Sequence, residues 1–222
     1  MVILTKEDED KIRSRLYKLG YLSEEVKLDS GKNYIVSGLE RSGTSLMMQI
    51  LAMAGVPMVY DSERLPDSNN PKGYYELYGG NIINKLMNGE EDLNEYGGKF
   101  VKITSYGLKY LPKPVFSKDG RKYKIIYMQR NLDEIIDSME KMTKVNESNK
   151  KETRELLKKL DDYATELMDD ESNISYLCIN YNKLLKEPMP ILLDICRFLG
   201  ISESKAKRML LAIDQNLYKE RR

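Results

Sequence analysis

Between residues 34 and 51 the chain reads Tyr34-Ile-Val-Ser-Gly-Leu-Glu-Arg-Ser-Gly-Thr-Ser-Leu-Met-Met-Gln-Ile-Leu51. A short apolar run breaks here into a glycine-containing loop and then into an amphipathic run, which predicts a β-strand, a loop and an α-helix. Gly38 and Gly43 have the G-x-x-x-x-G spacing of a nucleotide phosphate loop. In such a loop, backbone N–H groups and the start of a helix converge on an anion. The segment therefore predicts an anion site where the strand ends.

The residues after the second glycine depart from an ordinary nucleotide loop. A P-loop kinase places a lysine there for the terminal phosphates and a hydroxyl for a metal ion. Here Thr44 and Ser45 follow Gly43 directly, and the cation lies inside the loop. The order Arg41-Ser-Gly-Thr-Ser45 resembles the loop with which the sulfotransferase family binds its donor, 3′-phosphoadenosine-5′-phosphosulfate (PAPS). The resemblance implies that the 5′-phosphate is held by Arg41, Ser42, Gly43, Thr44 and Ser45.

A second candidate anion site follows the apolar run Lys124-Ile-Ile-Tyr-Met-Gln129, which predicts a strand. Arg130 comes directly after that run, and Ser138 lies about two turns into the helix predicted from about residue 132 to residue 142. A guanidinium and a hydroxyl placed in this way could reach one anion. The spacing Arg-x7-Ser resembles the 3′-phosphate site of sulfotransferases. The resemblance implies that Arg130 and Ser138 bind the 3′-phosphate of PAPS.

Two further segments resemble sulfotransferases. Residues 181–201 carry the pattern Tyr-x-x-Leu, Pro, Phe-Leu-Gly found near the carboxyl end of many members, and Asn70-Pro-Lys-Gly-Tyr-Tyr-Glu76 resembles a segment of compact bacterial-type members. The resemblance thus runs from about residue 33 to residue 201. The glycine-rich carboxyl-terminal motif of the animal cytosolic enzymes is missing, so we expect a different or reduced element to close over the nucleotide.

Sulfuryl transfer needs a base for the proton of the acceptor and cations for the oxygen of the leaving phosphate. The chain has no histidine, which excludes a histidine base, a Ser-His-Asp triad and most zinc sites. Glu76 is the first choice for the base, because some sulfotransferases use a glutamate. It could instead be a loop residue that caps a helix over residues 77–87. Lys102, near the end of a predicted strand, is the candidate donor to the leaving oxygen, with Lys72 as a second candidate and an edge lysine as the alternative reading.

Composition limits the partners. The 36 Lys and Arg residues balance 35 Asp and Glu residues, so the chain has no overall basic field for nucleic acid. Cys178 and Cys196 each lie in an apolar run and are expected to be buried thiols, and we expect no metal site. Acidic residues stand near the amino terminus where a signal peptide needs an apolar core, and no segment approaches the roughly 20 apolar residues of a membrane span. The sequence therefore predicts a cytoplasmic protein without a membrane span.

Strand and helix patterns alternate along the chain. Residues 34–51 are expected to form a strand, a loop and a helix. Further strands are expected over 99–104, 124–129 and 173–179, and further helices over 132–142, 146–170, 190–199 and 202–217, with a long loop over 61–80. The helix over 146–170 is expected to bury Leu156, Leu160, Tyr163 and Leu167. Asn131 is the expected cap of the helix that follows it. This alternation predicts a three-layer α/β fold, with a central, mostly parallel sheet and helices on both faces.

We therefore expect one sulfotransferase-like domain over 1–222, with a helical amino-terminal extension over 1–32, in which residues 6–28 have a helical pattern, a core over 33–201 and a carboxyl-terminal helix over 202–222. The predicted activity moves a sulfuryl group from PAPS to a hydroxyl or amine of a small-molecule or glycan-type acceptor, and leaves adenosine 3′,5′-bisphosphate (PAP). A P-loop nucleotide kinase and a non-catalytic phosphonucleotide-binding module remain alternatives. Glu40 departs from the family, which often has proline or lysine at this position. The loop that contains Gly38 and Gly43 could also be a simple glycine turn between a strand and a helix.

Overall fold

A computed structural model describes residues 26–61, 63–67, 70, 73–112, 120–143 and 149–213. Most of the helix expected over 6–28 lies outside these residues, and so does Lys72. Residues 26–28 are described and are not helical. There the backbone N–H of Val26 donates to the carbonyl of Gly55 at 2.8 Å, which ties this end of the described chain to the segment after the first helix.

Four strands form one sheet in the described chain. They are β1 (Lys32–Gly38), β2 (Phe100–Lys102), β3 (Lys122–Gln129) and β4 (Ile174–Asn180), in the order β2-β1-β3-β4. Every neighbouring pair is parallel. The chain leaves β1 for β2 on one side and later enters β3 on the other, so the strand order reverses at β1. In open α/β sheets, ligands bind at the carboxyl ends of the strands beside such a reversal.

Helices connect and flank the strands. The α-helices of the described chain are α1 (Thr44–Met53), α2 (Ile82–Asn88), α3 (Leu132–Thr143), α4 (Lys150–Asp170), α5 (Tyr181–Lys186), α6 (Pro188–Leu199) and α7 (Ala206–Met209). Short 3₁₀ helices cover Tyr78–Gly80, Leu93–Tyr96, Ser105–Tyr110, Glu203–Lys205 and Leu210–Ala212. The helix expected over 202–217 is therefore a series of short turns as far as residue 212, and residues 214–222 lie outside the description.

The sheet has a hydrophobic core on each face. Successive side chains of β1 alternate between them: Tyr34 and Val36 pack in the core that includes α1, α6 and α7, whereas Ile35 packs in the core that includes α2 and α4. This alternation follows from the two-residue period of a strand, and a strand covered on both faces needs apolar residues at every position. The predicted three-layer α/β fold with a parallel sheet is confirmed.

The buried face of α4 differs from the predicted one. Leu156 and Tyr163 are exposed, at 60% and 48%, whereas Ala164 and Met168 are buried. The predicted stripe was wrong by one position at Tyr163, which is about 100° around a helix. The small side chain of Ala164 lets the helix approach the core closely, a preference that helical spacing of large residues does not reveal.

Some local expectations are confirmed and others are corrected. Asn131 accepts hydrogen bonds from the N–H groups of Asp133 and Glu134 at 2.9 and 3.4 Å, as a cap does. The helix α6 begins at Pro188 and not at Pro190, because proline fits the first position of a helix, where its missing N–H has no partner. Cys178 is exposed and not buried, since β4 pairs only with β3 in the described sheet.

Candidate active site

A cavity of about 490 Å³ opens beside the loops that follow β1, β2 and β3. It brings together nearly all the residues that the sequence predicts for binding and catalysis. The predicted residues that line it are Arg41, Gly43, Thr44, Ser45, Glu76, Lys102, Arg130 and Ser138. Of the other two, Ser42 is fully buried within the loop, and Lys72 lies outside the described residues. Parallel strands explain this convergence, because their carboxyl ends meet at one edge of the sheet.

The loop between β1 and α1 has an unusual backbone. Gly38, Arg41 and Gly43 have φ angles of +146°, +66° and +104°, and left-handed values favour glycine. A Cβ atom at Gly43 would overlap the ring of Tyr181. The first backbone hydrogen bond of the helix runs from the N–H of Met47 to the carbonyl of Gly43 at 3.1 Å. The preceding N–H groups of the helix are thus available to an anion, which the helix dipole also favours.

Ser42 is a buried residue of the loop. Its N–H donates to the carbonyl of Leu39 at 3.1 Å, and its side chain is 0% exposed. A Cβ atom at Gly38 would lie 2.5 Å from the Ser42 hydroxyl oxygen. The Ser42 side chain is not among those that line the cavity. Direct binding of a donor by its hydroxyl stays a prediction.

The two predicted phosphate sites adjoin each other. Arg41 Nε donates to Ser138 Oγ at 3.0 Å, although the two residues are 97 positions apart in the chain. Arg130 Nη1 donates to the carbonyl oxygen of Arg41 at 3.0 Å. The guanidinium of Arg130 also lies 4.5 Å from the centre of the Tyr181 ring. A hydroxyl and two guanidinium groups from three separate elements can therefore surround one polyanion.

The two catalytic candidates, Lys102 and Glu76, form an ion pair. Lys102 Nζ donates to Glu76 Oε1 at 2.9 Å, to Ser45 Oγ at 3.3 Å and to the carbonyl of Tyr74 at 2.5 Å. The side chains of Lys102 and Glu76 are only 5% and 14% exposed. Burial lowers the pKa of Lys102, and the negative charge of Glu76 opposes that shift. Lys102 thus links the carboxylate of Glu76 to the hydroxyl of Ser45, which belongs to the predicted phosphate loop over 38–45, here called the anion loop.

A second cation holds the other oxygen of the carboxylate. Arg64 Nη1 donates to Glu76 Oε2 at 2.9 Å, and the Arg64 guanidinium lies 3.6 Å from the centre of the Tyr74 ring. On either side of Glu76, Tyr75 and Tyr78 both have φ angles of +55°. Left-handed backbone is uncommon for tyrosine, and such strain occurs often at functional sites. The alternative role of Glu76, as a cap of a helix over 77–87, does not describe these contacts, because its carboxylate is turned toward two cations.

Sequence reasoning missed Arg64 and two residues beside Arg130. Arg64 lies in the long loop, where spacing carries no information on contacts. Tyr181 begins a segment for which the sequence predicts no contact with the donor. Glu134 lies three positions after the Asn131 cap, and its carboxylate accepts from Arg130 Nε at 2.9 Å. The spacing of four positions between Arg130, just before α3, and Glu134 in its first turn is the signal that could have indicated this pair.

Other predicted features are placed as follows. Glu40 is exposed at the edge of the cavity and forms no ion pair within the described residues. In the part of the chain that the structure describes, no helix is long and apolar enough to cross a membrane. The same residues contain no group of three His, Cys, Asp or Glu side chains that could hold a metal ion.

Solved structures of other proteins have a fold similar to that of this chain. Two solved structures resemble the chain: the sulfotransferase domain of the Synechococcus PCC 7002 olefin synthase, and a mouse sulfotransferase complexed with PAP. The first is 17% identical with a TM-score of 0.50, over 90% of this chain and 86% of that one. The second is 19% identical with a TM-score of 0.54, over 93% of this chain and 70% of that one. Both likenesses concern the fold.

No curated protein matches the chain significantly. The family model described as the sulfotransferase domain matches residues 32–221, which include the anion loop, the strand before Arg130 and the segment that begins at Tyr181. Since this match spans most of the chain and the described sheet has the fold of solved sulfotransferases, the protein belongs to the sulfotransferase family.

Proposed function

We propose that this protein transfers a sulfuryl group from PAPS to a hydroxyl or amine of a small-molecule or glycan-type acceptor. The observation that carries the proposal is the hydrogen bond between Arg41 Nε and Ser138 Oγ at 3.0 Å. It joins the candidate 5′-phosphate loop to the candidate 3′-phosphate residues in one cavity. A donor with phosphates at both ends of its ribose needs such adjoining sites. The mouse sulfotransferase of similar fold is complexed with PAP, which agrees with this choice of donor.

The residues of the cavity fit the donor. Arg41, Gly43, Thr44 and Ser45 line the cavity, and glycine at position 43 lets the loop pack closely against the Tyr181 ring. Arg130 and Ser138 would hold the 3′-phosphate. When bound, PAPS supplies an activated sulfuryl group. The positive charges of Arg41, Arg130 and Lys102 match its several negative charges.

The chain's own groups supply the proton chemistry. Glu76 would accept the proton of the acceptor hydroxyl or amine as the new bond to sulfur forms. Its two oxygens are bonded to Lys102 and Arg64, but each carboxylate oxygen has a second lone pair. Lys102, which contacts both Glu76 and Ser45, would stabilise charge on the oxygen of the 5′-phosphate as its bond to sulfur breaks. The lowered pKa of Lys102 makes its ammonium a better proton donor.

The first expected result concerns the nucleotide. The unmodified protein should bind PAP far more tightly than AMP, because only PAP reaches Arg130 and Ser138. Replacing Arg130 with alanine should remove a charge-assisted contact of roughly 1.5 to 3 kcal/mol, which is about ten- to a hundredfold in the affinity for PAP. Isothermal titration with PAP and AMP measures both effects.

Arg197→Ala is the matched control for this experiment. Arg197 is exposed and pairs with Asp194 and Glu203 on the surface, so its loss should leave both affinities unchanged. If the unmodified protein bound AMP and PAP equally well, the assignment of a 3′-phosphate site would be wrong.

A second expected result separates the proposed function from a kinase. The loop lacks the lysine and the metal-binding arrangement of a P-loop kinase. PAP binding and sulfuryl transfer should therefore persist in excess EDTA, measured by titration and by turnover against a panel of acceptors. A strict requirement for magnesium, together with phosphoryl transfer from ATP, would favour the kinase. PAP binding with no turnover on any acceptor would favour a non-catalytic binding module.

A further inference from the structure

Glu134 is a buried charge to which the proposed chemistry gives no role. It lies in the first turn of α3, and its side chain is 0% exposed. Burying a carboxylate is costly unless partners compensate for the lost water. Apolar side chains could serve the packing of α3 equally well. The position of this charge therefore calls for a reason beyond stability.

Both oxygens of Glu134 have partners from other parts of the fold. Glu134 Oε2 accepts from Arg130 Nε at 2.9 Å, and Oε1 accepts from Asn182 Nδ2 at 2.7 Å. Arg130 follows β3, and Asn182 lies in α5. The carboxylate thus connects the end of a central strand with two helices, and it fixes one edge of the Arg130 guanidinium.

Two further contacts of Arg130 orient the plane of its guanidinium. Nη1 donates to the carbonyl of Arg41 at 3.0 Å, and the guanidinium lies against the ring of Tyr181. The arginine side chain is long and has many rotamers, and ordering it costs entropy. A planar fork that is already oriented loses less of this entropy when it binds a phosphate.

We propose that Glu134 is a positioning residue for the 3′-phosphate of the donor: it aims the guanidinium of Arg130, and Asn182 holds Glu134 in place. The inference rests on the proposed function, because it assigns Arg130 to that phosphate. Glu134 itself does not line the cavity. Its effect should therefore appear only with ligands that carry a 3′-phosphate.

The test compares two nucleotides in matched variants of the full chain. Glu134→Gln keeps the shape of the side chain and removes its charge, and the affinity for PAP should fall about tenfold. The affinity for AMP should stay within about twofold, because AMP lacks the 3′-phosphate. Asp133→Asn is the control: the neighbouring carboxylate pairs with Arg154 at the surface, and both affinities should remain those of the unmodified protein. Titration calorimetry gives the affinities, and thermal melting shows whether each variant is folded.

The outcomes separate this inference from the proposed function. A folded Glu134→Gln variant that weakens PAP and AMP by the same factor, or weakens neither, overturns the positioning role. Equal binding of PAP and AMP by the unmodified protein overturns the donor site itself. If Glu134→Gln does not fold, Asn182→Ala decides, since it removes the hydrogen bond to Glu134 Oε1 and keeps the pair between Glu134 and Arg130. A smaller but selective loss of PAP affinity supports the inference, and no selective loss refutes it.

Discussion

Replacing Glu76 with glutamine is expected to lower kcat by about 10² to 10⁴. Glutamine keeps the shape of the side chain but cannot take the proton of the acceptor. The affinity for PAP is expected to stay unchanged, because the proposed function gives Glu76 no contact with the phosphates of the donor. Steady-state kinetics with an acceptor from the panel and titration with PAP measure the two quantities separately.

Glu90→Gln is the control for Glu76→Gln. Glu90 is an exposed carboxylate that pairs with Lys85 at 3.7 Å, so kcat should not change. Near-normal kcat for Glu76→Gln would show that the base lies elsewhere. A parallel loss of PAP affinity and of thermal stability would show instead that Glu76 holds Lys102 and Arg64 in place and has a structural role.

Replacing Gly43 with alanine is expected to weaken PAP binding by about a hundredfold or more. The residue has a φ angle of +104°, which costs of the order of 1 to 3 kcal/mol for a side chain other than glycine. In addition, the new Cβ would overlap the ring of Tyr181. The loop must therefore shift, and its N–H groups lose their common direction toward the anion. Titration with PAP and thermal melting measure the two losses.

Gly200→Ala is the matched control for Gly43→Ala. Gly200 ends α6 with a φ angle of +71°, but a Cβ there meets nothing within 4 Å. This variant should lose roughly 1 kcal/mol of stability and bind PAP normally. If both alanine variants bound PAP normally, the close packing of the loop against Tyr181 would not matter for the anion site.

Local signals in the sequence predicted most of the fold and much of the site. The geometry of the loop over 38–45 can be predicted from the local sequence, because the glycine spacing and the neighbouring apolar runs involve residues that are close in the chain. Arg130 and Ser138 were found in the same way, from one strand and the helix after it. The parallel sheet then brings these segments together, since the carboxyl ends of its strands share an edge.

Contacts between distant segments could not be predicted in this way. Nothing near Arg64 indicates that its side chain reaches Glu76, because a long loop has no period from which a partner can be inferred. The exposed Cys178 and the corrected face of α4 depend on what packs beside them in space. The division of the chain into an extension, a core and a carboxyl-terminal helix, the roles of the individual site residues and the cytoplasmic location stay predictions.

The site draws its parts from two kinds of chain segment. The groups proposed to hold the donor belong to a tight loop, a strand end and a helix that are fixed in the parallel sheet, whereas Arg64, Tyr74 and Glu76 come from the irregular segment between α1 and α2. Loops tolerate changes in sequence and length far better than the elements that carry them. Under the proposed function, the segment between α1 and α2 can therefore differ between relatives while the residues proposed to bind the nucleotide stay the same. In chimeras between relatives that exchange only this segment, we expect the acceptor preference to change with the segment and PAP binding to stay with the rest of the chain.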